Sequence, residues 1–166
     1  MTWRQANALL AFMSIGFIVF AIAYLQNVLG LPPCPLCILQ RIGFMGVALV
    51  LLVAAVHGPG RVGLQRYGLL VIMAAALGGG VAVRHLWLQF FPVPGVASCG
   101  PGLNFMLNHF SLGDTFAMVF QGTGDCGVQH WSLMGLSIPA WSLLWFVVFM
   151  AYGVLLWLKN RRVASW

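Results

Sequence analysis

Four stretches of about twenty residues, each almost free of charge, constrain this chain more than anything else in it. They run approximately from Ala8 to Leu25, Leu39 to Val56, Tyr67 to Trp87 and Ile138 to Leu158, and Arg41 and Arg84, each near the end of its stretch, are their only charges. A helix needs roughly 20 mostly apolar residues to cross a bilayer. The expected fold is therefore an all-α membrane protein, a four-transmembrane-helix bundle forming one membrane domain over residues 1–166. Composition agrees: 61% of the residues are hydrophobic and 6% charged, where a soluble domain carries about a quarter charged residues. Asp114 and Asp125 are the only acidic residues, which excludes a catalytic carboxylate pair and a multi-carboxylate magnesium or calcium cage. The net charge of +6 is spread thinly among apolar runs. It forms no basic stripe for a phosphate backbone, so the expected partner is the lipid bilayer and not nucleic acid.

Cytoplasmic flanks retain Lys and Arg, which gives the bundle a direction. Arg4 precedes the first span, Arg61 and Arg66 fall in the turn after His57-Gly58-Pro59-Gly60, and Lys159, Arg161 and Arg162 follow the fourth. These positions are expected inside, with both termini. No Lys or Arg occurs between Arg84 and Lys159, and both acidic residues lie there. Segments 26–38 and 89–137 are accordingly expected as outer loops. Arg4, the first apolar run and Ala21-Ile22-Ala23 imitate a signal peptide, but the run exceeds the usual apolar core of one, which favours an uncleaved span.

The long outer loop carries a weak helical rhythm. Leu103, Met106, Leu107 and Phe110 form one set, and Phe116, Val119 and Phe120 begin another after Gly113-Asp114. Two short helices on the membrane surface would bury this stripe, and so would packing on the loop's own cysteine-linked core.

All four cysteines, Cys34, Cys37, Cys99 and Cys126, fall on the outer side or at its membrane boundary. An oxidising compartment permits disulfides there. Cys34-Pro35-Leu36-Cys37 leads straight into the second span, so Cys37 is expected in the first helical turn, where unsatisfied N–H groups favour a sulfur anion. Arg41, four residues on, lies on the same helical face. It reads either as a partner for that anion or as an interface anchor. Cys99 and Cys126 are separated by 26 residues, unlike the close ligand pairs of structural zinc sites. A structural bridge closing that loop would stabilise it by about 3–4 kcal/mol, and remains the alternative to a redox role. Of the histidines, His57, His109 and His130 read as solvated or packed residues. His85, beside Arg84 at the outer end of the third span, reads as an interfacial residue or a proton donor.

With these residues in view, the chain resembles the disulfide bond formation protein B (DsbB) family of bacterial inner-membrane thiol oxidases. The resemblance rests on Cys34-Pro35-Leu36-Cys37-Ile38-Leu39-Gln40-Arg41, on Phe91-Pro92-Val93-Pro94 before Ser98-Cys99-Gly100, on Gly124-Asp125-Cys126 followed by Trp131, and on Met134-Gly135-Leu136-Ser137-Ile138-Pro139-Ala140-Trp141. The C-x-x-C comes first, whereas in the vitamin K epoxide reductase-like proteins the loop cysteines precede it. Gly127 stands where alanine is common in relatives, and the surroundings of Cys99 vary among subgroups, some of which serve one dedicated substrate.

The resemblance implies a thiol:quinone oxidoreductase. A periplasmic thioredoxin-fold oxidant of the DsbA type would attack a Cys99–Cys126 disulfide at Cys99, and Cys126 would then engage Cys34. Electrons would leave the Cys34/Cys37 pair for a membrane quinone, ubiquinone or menaquinone, with Arg41 beside the Cys37 thiolate and His85 near the quinone. It implies no metal.

Overall fold

A computed structural model describes residues 2–31, 33–91, 108–121, 132–133 and 135–161. Helix α1, Trp3–Phe20, continues without a break into a π-helical segment, Ala21–Val28. Helix α2 is Pro35–His57, α3 is Arg61–Phe90, and a short helix α4 is Leu112–Gln121. A two-strand antiparallel hairpin, β1 Ser132–Leu133 and β2 Leu136–Ser137, pairs Ser132 with Ser137 and Leu133 with Leu136. Helix α5, Ile138–Arg161, follows directly.

Four segments, Trp3–Val28, Pro35–His57, Arg61–Phe90 and Ile138–Lys159, are long and apolar enough to cross a membrane. The chain is a four-helix membrane bundle, and α4 is a short helix among the described residues between α3 and α5. Its outer surface is that of a protein solvated by lipid: Phe12, Leu49, Val56 and Leu77 are all well exposed, where hydrocarbon and not water would meet them.

The helices reach further than the apolar stretches, and local capping explains why. Thr2 and Gln5 form a reciprocal capping box at the start of α1. Cys34 caps α2, with Pro35 in the first position, where the missing N–H costs nothing. Helix α2 thus starts inside the segment 26–38, earlier than the apolar stretch from Leu39, and Cys37 lies in its first turn as expected. Gly58 ends α2 in the left-handed conformation, and three residues suffice for the reversal. Arg61 and Arg66, expected in that turn, instead lie in the first turns of α3.

Neighbouring helices pack in the order α1 on α2, α2 on α3 and α3 on α5, the last contact being the most extensive. Small residues permit it. A Cβ on Gly68 would stand 2.8 Å from the Gly153 carbonyl oxygen, and one on Gly153 would meet the Gly68 carbonyl at the same distance. Nearer the cysteine end, a Cβ on Gly78 would fall 2.4 Å from the Phe146 ring. That ring stacks on Phe44 at 4.4 Å and lies in a core with Val47, Leu51, Val71, Ala75 and Phe149. Buried polar groups set the register of the helices: Ser14 Oγ donates to the Phe44 carbonyl at 2.9 Å, and the Tyr152 hydroxyl donates to Asn7 Oδ1.

At one end of the bundle, α4 docks on the start of α2. Val119 is buried with Cys34, Leu36 and Leu88, and Met118 packs beside it, while Phe120 and Phe110 stay about two-fifths exposed. Within the second part of the expected loop stripe, Val119 thus faces the bundle and Phe120 the surroundings, while the side chain of Phe116 lies outside what is described. Leu103, Met106 and Leu107, like Cys99 and Cys126, lie outside the described residues.

Candidate active site

The capping geometry that starts α2 also builds the site. As N-cap, Cys34 turns its sulfur back over the first helical turn, where the backbone N–H of Cys37 donates to Cys34 Sγ at 3.3 Å. The two sulfurs lie 3.0 Å apart. Cys34 is buried beneath Leu88 and Val119, whereas Cys37 is only partly covered. One sulfur is thus shielded by protein and the other opens outward at the end of a membrane helix.

His85 completes the cluster from the last part of α3. It is 3% exposed, and its Nε2 lies 3.8 Å from Cys34 Sγ. On the far side of the ring, Gln40 Nε2 stands 3.1 Å from His85 Nδ1. An amide nitrogen only donates, so Nδ1 accepts and the ring proton sits on Nε2, facing the sulfur. Gln40 is itself 3% exposed. A buried amide in an apolar helix is costly unless bonded, and its partner here fixes one tautomer of a histidine. The ligand atoms of Cys34, Cys37 and His85 all lie within 4.8 Å of one another.

Arg41 lies one turn beyond Cys37, and its guanidinium is anchored on α1. Nη1 donates to Gln26 Oε1 at 3.0 Å and Nη2 to the Ala21 carbonyl at 3.2 Å. Both acceptors belong to the π-helical segment, a local widening of the kind frequent at functional sites. Arg84, next to His85, donates from Nε to the Phe120 carbonyl at 2.7 Å and so ties α4 over the site.

The structure therefore brings together Cys34, Cys37 and His85, places Arg41 one turn away, and leaves Cys99 and Cys126 outside the described residues. The sequence reading gave Gln40 no role, although a glutamine in an apolar span is a signal in itself. The docking of Arg84 and α4, and the anchorage of Arg41 on Gln26, arise from tertiary packing and left no such trace.

Comparison with known proteins agrees with the geometry. Residues 3–156 match the family model described as disulfide bond formation protein DsbB. A disulfide bond formation protein B of Xanthomonas campestris pv. campestris is 46% identical over 159 residues, covering 95% of this chain and 92% of the relative. The protein of the same name from Aromatoleum aromaticum is 46% identical over 138 residues, 83% of this chain and 82% of the relative. That of Marinobacter nauticus is 41% identical over 166 residues, 100% and 98% of the two chains.

Proposed function

The chain belongs to the DsbB family of disulfide-forming membrane oxidoreductases, and from that premise we propose that it reoxidises a periplasmic DsbA-type dithiol and passes the electrons to a membrane quinone. The observation that carries this reading is the dithiol at the start of α2, with one sulfur beside a histidine N–H and the other partly open at the end of a membrane bundle.

The relay runs in two exchanges. A thiolate of the donor attacks Cys99 of a Cys99–Cys126 disulfide, forming a mixed disulfide and releasing Cys126 as a thiolate; the donor's second thiol then displaces Cys99 and leaves as a disulfide. Cys126 attacks Cys34 of the Cys34–Cys37 disulfide, which releases Cys37 as a thiolate, and Cys99 closes on Cys126 to release Cys34. The sum is one dithiol oxidised and one pair, Cys34 and Cys37, reduced by two electrons. His85 Nε2, 3.8 Å from Cys34, is placed to donate a hydrogen bond to that sulfur as it leaves, which stabilises the thiolate. Gln40 holds the ring in the required tautomer.

A quinone suits the residues present, because the Arg41 guanidinium, with five N–H groups and held one turn beyond Cys37, would offer a donor to a carbonyl oxygen near the dithiol. When bound it supplies the acceptor for two electrons and two protons. Cys37, the less covered residue of the pair, would be the one to pass electrons to it. Arg41, fixed by Gln26 and Ala21, holds a positive charge near the edge of the membrane.

Charge supports the orientation. Arg4 reaches the Ala55 carbonyl, Arg61 and Arg66 open α3, and Lys159 lies over the Trp3 ring, so all four cations gather at the end opposite Cys34. That end, with both termini, is cytoplasmic in this reading, and the cysteines face the periplasm across the inner membrane. Residues 1–166 act as one membrane domain.

The test is quinone absorbance under anaerobic conditions, with the protein in lipid and a reduced DsbA-type dithiol as donor. Turnover is expected in the parent and its loss in Cys37→Ser. No turnover with ubiquinone or menaquinone analogues, from folded protein with intact disulfides, would overturn the reading.

A further inference from the structure

We propose that the reduced Cys34/Cys37 pair and His85 form a binding site for a thiophilic divalent cation of the zinc class, which holds the pair in its reduced state. Three kinds of observation carry this, and none requires the quinone reading.

The first is geometry. The three candidate donor atoms lie within 4.8 Å of one another, with the sulfurs 3.0 Å apart and Cys34 Sγ 3.8 Å from His85 Nε2. Tetrahedral zinc with bonds of about 2.3 Å to sulfur and 2.0–2.1 Å to nitrogen needs edges of roughly 3.8 Å between sulfurs and 3.5 Å from sulfur to nitrogen. A rotation of the partly exposed Cys37 side chain opens the sulfur pair, while the buried Cys34 and His85 are already near the required separation. Three protein ligands leave a fourth position for water.

The second is the surrounding shell. A metal-bound imidazole donates its other N–H to an acceptor that fixes the ring. Gln40, 3.1 Å from His85 Nδ1, becomes that acceptor when its amide turns over and presents Oε1 in place of Nε2. The Cys37 backbone N–H already points at Cys34 Sγ.

The third is charge. Two thiols that bind a divalent cation release two protons, and the resulting pair of thiolates neutralises the ion. No net charge is then left at a partly buried site at the end of an apolar bundle. Among the described residues the only carboxylate side chain is Asp114, which accepts from Ser111 Oγ at 2.7 Å. Soft sulfur and imidazole donors without carboxylates select zinc-class ions over magnesium or calcium. Oxidation of the pair to a disulfide removes two electrons and both thiolate ligands, so the site exists only in the reduced protein. Occupancy and oxidation therefore exclude each other.

The experiment uses the full chain in lipid with Cys99→Ala and Cys126→Ala, so that Cys34 and Cys37 are its only thiols. Cobalt(II) is titrated into the reduced, metal-free protein, and thiolate-to-cobalt charge-transfer and tetrahedral d–d bands are recorded. One cobalt per chain is expected, displaced by zinc, with no bands in the oxidised protein. His85→Ala is expected to weaken binding by at least about tenfold, and Cys37→Ser to reduce the charge-transfer intensity in a chain altered by one atom. Failure of the reduced parent to bind, equal binding by the oxidised protein, or undiminished binding by His85→Ala each overturns the proposal. The titration contains neither donor nor quinone, so its failure is distinct from failure of the oxidase reading.

Discussion

Replacing Gln40 with leucine tests whether His85 acts through a fixed tautomer. The side chains are similar in size, and Gln40 is 3% exposed, so packing changes little while the 3.1 Å bond to His85 Nδ1 disappears. Leaving a buried acceptor unpaired costs about 1–3 kcal/mol. The imidazole recovers part of this by moving its proton to Nδ1 or by turning, and either movement takes the N–H away from Cys34 Sγ. If about 1.4 kcal/mol of the loss falls on the step at Cys34, its rate drops about tenfold. Rapid-mixing measurement of electron arrival at Cys34/Cys37, made in the parent, Gln40→Leu, His85→Ala and the double variant, gives the coupling. The expectation is a tenfold effect of Gln40→Leu in the parent and almost none once His85 is gone. An equal slowing in both backgrounds would refute the tautomer argument, as would a parental rate in Gln40→Leu.

Three further outcomes are expected. Gly78→Ala drives a methyl group into Phe146 and should destabilise the bundle by about 1–3 kcal/mol, whereas Gly80→Ala, with open space at its Cβ, should be neutral or stabilising; thermal unfolding in detergent compares them. Arg84→Ala removes the contact to the Phe120 carbonyl and should speed amide exchange in α4 about two- to tenfold, the equivalent of a net hydrogen bond of about 0.5–1.5 kcal/mol. Arg41→Lys keeps the charge but loses the planar hold on both Gln26 and Ala21, and should raise KM for quinone about three- to tenfold with a smaller change in kcat; saturation kinetics separate the two.

The four-helix class was legible because the bilayer sets helix length and because Lys and Arg are so unevenly placed. Cys34, Cys37 and Arg41 were legible for a related reason: a C-x-x-C before an apolar helix, with an arginine one turn on, is a local pattern. His85 was not local. It lies fifty-one positions along the chain from Cys34, and only the resemblance brings it near the site. The closure of His85 on Cys34, the Gln40 bond behind it and the anchorage of Arg41 on a π-helical segment depend on how α1, α2 and α3 pack. Helical periodicity carries no record of that packing. The charges of Arg61 and Arg66 suggest a turn, yet the backbone reverses within Gly58-Pro59-Gly60 and the helix starts at once.

In the proposed relay, electrons cross from a donor dithiol to quinone through Cys34 and Cys37. Acid quenching and differential alkylation after one equivalent of reduced donor, first without quinone and then with it, follow all four cysteines directly. Cys34 and Cys37 are expected to become alkylatable in the absence of quinone and to return to the disulfide when quinone is added, one quinone reduced per donor oxidised. Donor oxidation or quinone reduction with Cys34 and Cys37 unchanged throughout would contradict it.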